Sequence, residues 1–379
     1  MTTIIRARDA RSFLSLLPHV CGYRPRRSLL VVPFEDGRTA GAARIDLPKR
    51  PEHWPEAVAV ALGMVCRMRG VTQFAAVVYT DEPLLGADGM AFAGLVEALR
   101  ERADHCGLEV RDALCVAADG WGAYADGRPT PRPLEEIAHE DAVPGGDDVL
   151  PDQGAGIAPP AVDLAERERL GRAHLELGRA LAVILGEDHP GTSAIGAASN
   201  RGIPPRALAT ACFAADLPVV FEECLDWETD DLDPYLAALL VWALERPCFR
   251  DVALSQWSSD LQEGWNVLDL NERWADGDDS LPDGPLRLKG EGPRPDPDRL
   301  ERALALVQRL AASAPGRSRA GALASAAWLM WALGHGTHAL AYARQALAVD
   351  DEHGLARLVG AMASHGMLPE WAFERPGAA

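Results

Sequence analysis

The sequence predicts an α/β domain followed by an all-α half, and three observations carry that expectation. Residues 28–34, Ser-Leu-Leu-Val-Val-Pro-Phe, form a nearly continuous apolar run rich in β-formers, as a strand covered on both faces does. Up to residue 117, strand-like runs alternate with amphipathic helical segments. From residue 163 onward, the apolar patterns recur at helical spacing.

Taken in order, Asp9 can cap a helix running through Leu17, with Ala10, Phe13, Leu14 and Leu17 on one face. Pro18 and Gly22 are expected to break it. After the strand at 28–34, Asp36-Gly37 is a hairpin turn signal and 39–47 reads as the returning strand. A helix is expected over 51–69, beginning near Pro55, then a third strand over 74–79. A second long helix over 90–106 turns Phe92, Leu95, Val96 and Leu99 inward, and a fourth strand covers 108–117. This order implies a mixed sheet of about four strands with flanking helices.

From 126 to 160 the composition shifts to Pro, Gly and Asp, a loop or linker. Helix returns at Asp163, where Leu170, Leu177, Leu181 and Ile184 form a stripe that Gly186 stops. Further helices are expected over 204–215, 234–245 and 250–261, then an acidic, proline-rich linker over 276–297. The tail reads as helices at 298–312, 321–333, 337–349 and 353–365. Within it Leu333-Gly334, Ala339-Leu340, Tyr342, Ala346-Leu347 and Asp350 match the tetratricopeptide pattern in one copy, with Trp331 one residue off. The expected division is an α/β domain at 1–125, a linker at 126–160, a helical region at 161–275, a linker at 276–297 and a tetratricopeptide-like region at 298–379.

A chain of 379 residues, 48% hydrophobic, is long enough for two or three cores. Its net charge of -19 argues against nucleic acid and anionic membrane surfaces, both of which need clustered cations. Only two lysines occur, Lys49 and Lys289, so arginine abundance reflects composition and is no argument for phosphate binding. The seven cysteines are scattered with no Cys-x-x-Cys pair, as in a reduced, cytoplasmic protein. The longest uncharged run, 320–334, is shorter than the roughly 20 residues of a membrane span.

Leu16-Leu17, Pro18-His19, Gly22-Tyr23-x-Pro25 and Ser28-Leu29-x-Val31-Val32 together resemble the pattern of an actinobacterial family known as a domain of unknown function, DUF4192. The likeness continues in Asp233-Pro-Tyr-Leu-Ala-Ala-Leu-Leu with Arg250-Asp251, and in 328–369. The family often carries a cysteine-rich segment after the fourth strand. Here Trp121-Gly-Ala-Tyr-Ala-Asp-Gly-Arg stands in that place, so no metal or redox role follows for it. The resemblance implies a fold and a source, and no activity.

In α/β sheets, ligands tend to sit beyond the carboxyl ends of parallel strands. Tyr79-Thr80-Asp81-Glu82 and Asp119-Gly120-Trp121 fall there, so Asp81 and Asp119 are catalytic candidates, and Thr80, Glu82 and Trp121 ligand-binding ones. In the turn before the first strand, His19 and Tyr23 are candidate proton carriers or donors, and Arg24 and Ser28 ligand contacts. The bland reading makes all of these loop acids and turn packing. Whether the turn shares a sheet end with Asp81 depends on the direction of the first strand, which the sequence leaves open.

His335 and His338, with Asp350 and His353, have some metal-like spacing but straddle a helical turn, and no metal is expected. The acids at 226, 228, 230, 231 and 233 lack the glycine and terminal glutamate of a calcium loop. Phosphate-loop, dinucleotide, serine-hydrolase and zinc-protease motifs are missing, and no cofactor is expected. The sequence leaves two readings. One is a non-catalytic or regulatory protein that binds a protein partner through its carboxy-terminal helices, or a small ligand. The other is an enzyme of unknown reaction acting on a small molecule at the α/β domain.

Overall fold

A computed structural model describes residues 9–35, 37–39, 41–68, 70–87, 89–126, 129–137, 149–185, 202–278, 280 and 284–373. The described chain forms two compact units, one made of the residues up to Ala155 together with Phe373 and the other spanning Gly156–Ala372.

The first unit opens with α1 (Ala10–Cys21), whose capping box pairs the Asp9 carboxylate with the Ser12 backbone N–H at 2.8 Å. Pro18 does not break this helix as expected. It sits in the last turn, and the chain leaves at Gly22, whose φ of 75° ends the helix in the left-handed conformation. The elements that follow are β1 (Ser28–Phe34), β2 (Ala43–Asp46), α2 (Trp54–Arg67) and β3 (Gln73–Tyr79), then a small ribbon of β4 (Leu85–Gly86) and β5 (Gly89–Met90). After it come α3 (Ala93–His105), β6 (Glu109–Ala117) and β7 (Gly120–Ala123). The turn signal at Asp36 lies outside the described residues, and β2 is shorter than the strand expected at 39–47.

Among the described residues the main sheet has five strands, in the order β2-β1-β3-β6-β7. The sequence suggests four, because Gly-Trp-Gly-Ala is too short and glycine-rich to read as a strand. Asp119-Gly120 turns the chain back, pairing Val116 with Trp121. Only β3 and β6 run parallel; every other neighbouring pair is antiparallel. The alternation of β1 and β3 serves two cores. Leu29, Val31, Phe74, Ala76 and Val78 face Val58, Leu62, Val65, Leu95 and Leu99 of α2 and α3. Leu30, Val32, Ala75, Val77 and Tyr79 face Leu14 and Leu17 of α1. A strand buried on both sides has to be apolar throughout.

The second unit contains α4 (Leu164–Leu185), α5 (Pro205–Cys212), α6 (Leu217–Glu223), α7 (Pro234–Leu244), α8 (Pro247–Trp257) and α9 (Leu261–Ala275). It continues with α10 (Pro297–Ser313), α11 (Arg319–Ala332), α12 (Gly336–Val349) and α13 (Gly354–Ser364). At its centre lie α7 and α11, apolar all round and buried over 237–244 and 320–332 respectively. Gly321 lets them meet, since a methyl group there would lie 2.4 Å from the Leu244 carbonyl oxygen. The run at 226–233 provides the α7 cap, where Asp233 accepts from the Tyr235 and Leu236 N–H groups.

Candidate functional site

The antiparallel pairing of β1 with β3 answers the question the sequence leaves open. Ser28 lies opposite Tyr79, so the turn before β1 and the residues after β3 share one end of the sheet. Asp46, at the end of β2, pairs with Ser28 from the other side. The motif residues at this end are held mainly by their own neighbours. The buried Ser28 hydroxyl donates to the Arg26 carbonyl at 2.7 Å and accepts from Arg44 Nη1 at 2.8 Å. Arg44 also bonds Asp46 at 2.7 Å. Tyr23 pairs with Leu150 in a parallel bridge, where the exposed Arg24 donates its backbone N–H to the Leu150 carbonyl.

Burial pushes the Cys21 thiol and the Tyr23 phenol up to about 12, although Arg44 pulls both down. It raises Tyr79 as well, helped by Cys21. A thiol and two phenols held protonated are hydrogen-bonding groups rather than nucleophiles or bases at neutral pH.

The acids expected to carry chemistry are also committed. Asp119 Oδ1 accepts the Leu84 N–H at 2.7 Å, and the Thr80 hydroxyl accepts the Glu82 N–H at 3.1 Å. The Glu82 carbonyl accepts from the Ala118 N–H, so these residues shape the loop between β3 and β4. Asp81 faces Arg27 at 3.6 Å in an ion pair with both side chains mostly in water. Trp121 is a core residue instead of a ligand contact, 0% exposed beneath the Arg132 guanidinium, which lies 4.8 Å from its ring centroid. His19, half-buried, ends on the last turn of α1. Sheet topology therefore brings the two candidate groups to one end, and local hydrogen bonds use much of what they present.

A cleft the sequence did not indicate lies in the helical unit. It holds about 670 Å³ between α8, α9 and the strap at 284–296. This strap falls within the stretch expected to be a linker, and it is tied down at both ends. Arg287, 6% exposed, donates to the carbonyls of Ser258 and Pro293, with its guanidinium 5.0 Å from the Trp371 ring centroid. Arg294 donates twice to the Trp371 carbonyl, at 3.1 and 2.8 Å. Gly290 takes φ 82° where a methyl group would lie 2.5 Å from the Trp331 ring, and its carbonyl accepts the Glu370 N–H at 2.8 Å.

The cleft is rich in acceptors. Burial raises the Asp251 carboxyl against the pull of Arg250, which donates Nε and Nη2 to Oδ1 at 2.9 and 2.7 Å. Burial also raises Glu263, against an Asn266 hydrogen bond and the Arg287 charge. Ser255, Ser259, Asn266 and Asn271 complete the polar wall, while Val267, Leu270 and Leu286 give it an apolar floor. A desolvated carboxyl is stabilised by an incoming donor or cation, so the wall suits a small molecule bearing amine or hydroxyl groups. The one signal in the sequence was Arg287, Lys289 and Gly290 interrupting a stretch otherwise rich in Asp and Pro.

His335 and His338 stack edge to face with ring centroids 6.0 Å apart. Among the described residues, no three His, Cys, Asp or Glu side chains are grouped to hold a metal, and no helix is long and apolar enough to cross a membrane.

One family model, described as a domain of unknown function (DUF4192), matches residues 11–270. No curated protein and no solved structure matches the chain. The matched stretch takes in the whole sheet, α8 and most of α9.

Proposed function

The chain belongs to the domain-of-unknown-function family DUF4192, and we propose that it acts as a non-catalytic binding protein whose helical unit takes a small polar molecule. The observation that carries this reading is the cleft of about 670 Å³ whose strap is pinned by Arg287 and whose wall presents the desolvated acids Asp251 and Glu263. A preformed concavity with a few converging polar groups is the usual form of a small-molecule site. The local hydrogen bonds that occupy Ser28, Thr80 and Asp119 at the sheet end favour this reading over an enzyme at the α/β unit. Scattered cysteines without a metal motif suit a cytoplasmic protein, and an actinobacterial source is what the family resemblance implies. In the α11–α12 pair, a tetratricopeptide-like hairpin on its sequence pattern, the outer side of α12 is the part proposed to meet a protein partner, since α11 is buried.

The test is a thermal-shift screen with a library of small amines, polyols and acids, run on wild type and on Asn266→Leu, which fills the cleft. Ligands that stabilise wild type and leave Asn266→Leu unmoved support the reading. Stabilising ligands that act equally on both proteins, or none in the library, would remove its support.

A further inference from the structure

The cysteines look unrelated in sequence, yet two of them meet in space. Cys66 is in the last turn of α2, and Cys106 follows the last residue of α3 as its carboxy-terminal cap. Both helices lie on the same face of the sheet and share one core, through Val58, Leu62 and Val65 on one and Val96, Leu99 and Ala103 on the other. Each delivers the chain to the start of a strand, and those strands, β3 and β6, are parallel with Gln73 opposite Glu109. The helix ends must therefore arrive together. Where they do, the Glu109 N–H donates to the Thr72 carbonyl at 2.9 Å and the Gln73 amide bonds the Glu109 carboxylate at 2.6 Å.

At that junction the Cys106 thiol is near enough to act electrostatically on the Cys66 thiol, and both residues are free and exposed. Cys115 and Cys224 are buried in cores and Cys21 is half-buried. We infer that Cys66 and Cys106 are a redox-modification site, forming a reversible disulfide that staples the end of α2 to the end of α3. This is separate from the proposed binding cleft, which lies in the other unit.

The oxidant named is a low-molecular-weight disulfide such as oxidised glutathione. One cysteine thiolate attacks it, forming a mixed disulfide and releasing one glutathione thiolate. The second cysteine thiolate then attacks the protein sulfur of that mixed disulfide, forming the Cys66–Cys106 bond and releasing the second glutathione. The protein loses two electrons and two protons, and two molecules of reduced glutathione result. Burial and the neighbouring Cys106 thiol raise Cys66, so exchange is expected to be slow near neutrality and faster as pH rises. A staple closing the loop from 66 to 106 restricts the unfolded chain and raises the melting temperature of the unit that holds it.

The full chain is incubated with excess oxidised glutathione, free thiols are alkylated, and unreduced peptides are mapped by mass spectrometry. The expected result is a Cys66–Cys106 cross-linked peptide short of two hydrogen atoms. It is accompanied by a melting transition raised by about 5 °C and reversed by dithiothreitol. In Cys66→Ser and Cys106→Ser, the partner cysteine ends as a glutathione mixed disulfide, with no cross-link and no rise in melting. Both sites being exposed, the reduced variants are expected to melt like wild type; Cys66→Ala is the second variant if one does not. Wild type that ends with glutathione on both cysteines, with both alkylated, or with either bonded to another cysteine would overturn the inference.

Discussion

The sheet end of the α/β unit and the cleft of the helical unit both gather polar side chains against an apolar core, yet they direct their hydrogen bonds differently. At the sheet end, Asp119, Thr80 and Ser28 bond neighbouring backbone or Arg44, and the loop is what they hold. In the cleft the division of labour is reversed. Arg287 and Arg294 bond backbone carbonyls to fix the strap, while Asp251, held through one oxygen by Arg250, and Glu263 stand on the wall with their carboxyls raised by burial. Residues of the same chemical types thus serve as scaffold in one place and as an open acceptor surface in the other. A polar residue at a strand end is a functional candidate only after its hydrogen bonds have been accounted for.

The comparison breaks most sharply at Gly290. Gly290→Ala forces a methyl group against Trp331 and Pro369 at a left-handed backbone position, and the expected loss is about 3 kcal/mol or more in denaturant unfolding. Arg287→Ala should follow closely, costing about 3 kcal/mol because the Ser258 and Pro293 carbonyls lose a charged donor. Arg287→Lys should recover little of this, since one ammonium cannot span both carbonyls. If either protein unfolds like wild type in urea, the strap is not the fixed wall described.

The pH dependence is smaller and has a definite sign. In the helical unit, burial lowers His174 and His353. An unfolded histidine takes up a proton near 6.5, whereas these resist doing so. Their contribution is complete above 6.5 and is lost as pH falls through 6.5 toward the depressed folded values. Asp251 and Glu263, raised by burial, act oppositely, but only in the carboxylate range below. Melting of this unit is expected to drop between pH 7.5 and 5.5, and His174→Gln should flatten the drop. An unchanged melting temperature across that interval would count against buried neutral histidines.

The smallest effect belongs to the sheet end. Asp81→Asn removes an exposed ion pair with Arg27 and should change stability by less than about 0.5 kcal/mol. Asp119→Ala, which leaves the Leu84 N–H without its acceptor, should cost about 1 kcal/mol. Equal losses for the two would show that Asp81 is bound more firmly than its exposure implies.

How far these contrasts were legible in the sequence differs by element. The run from Ser28 to Phe34 announced a doubly covered strand, because a continuous apolar run leaves few alternatives, and the α7 and α11 segments read as helices, though not as the buried centre of their unit. Strand β7 was hidden by its two glycines, and α9 by a polar sequence whose helical face has only a few buried residues. The direction of β1 against β3, which brings His19, Tyr23 and Asp81 to one end, is a pairing decision no local pattern records. The cleft could not be read, because α8, α9 and the strap share no spacing and Arg287 sits in a stretch that looks like linker.

The central claim is that the helical cleft is an acceptor-lined site for a donor-bearing small molecule. Calorimetric titration of wild type and Glu263→Gln with a series of diamines, and with dicarboxylates of matched length, tests it most directly. Saturable binding of a diamine, weakened about tenfold or more by Glu263→Gln and accompanied by no dicarboxylate binding, is the result expected. Dicarboxylate binding that Glu263→Gln leaves unchanged or strengthens, with diamines inert, would contradict it.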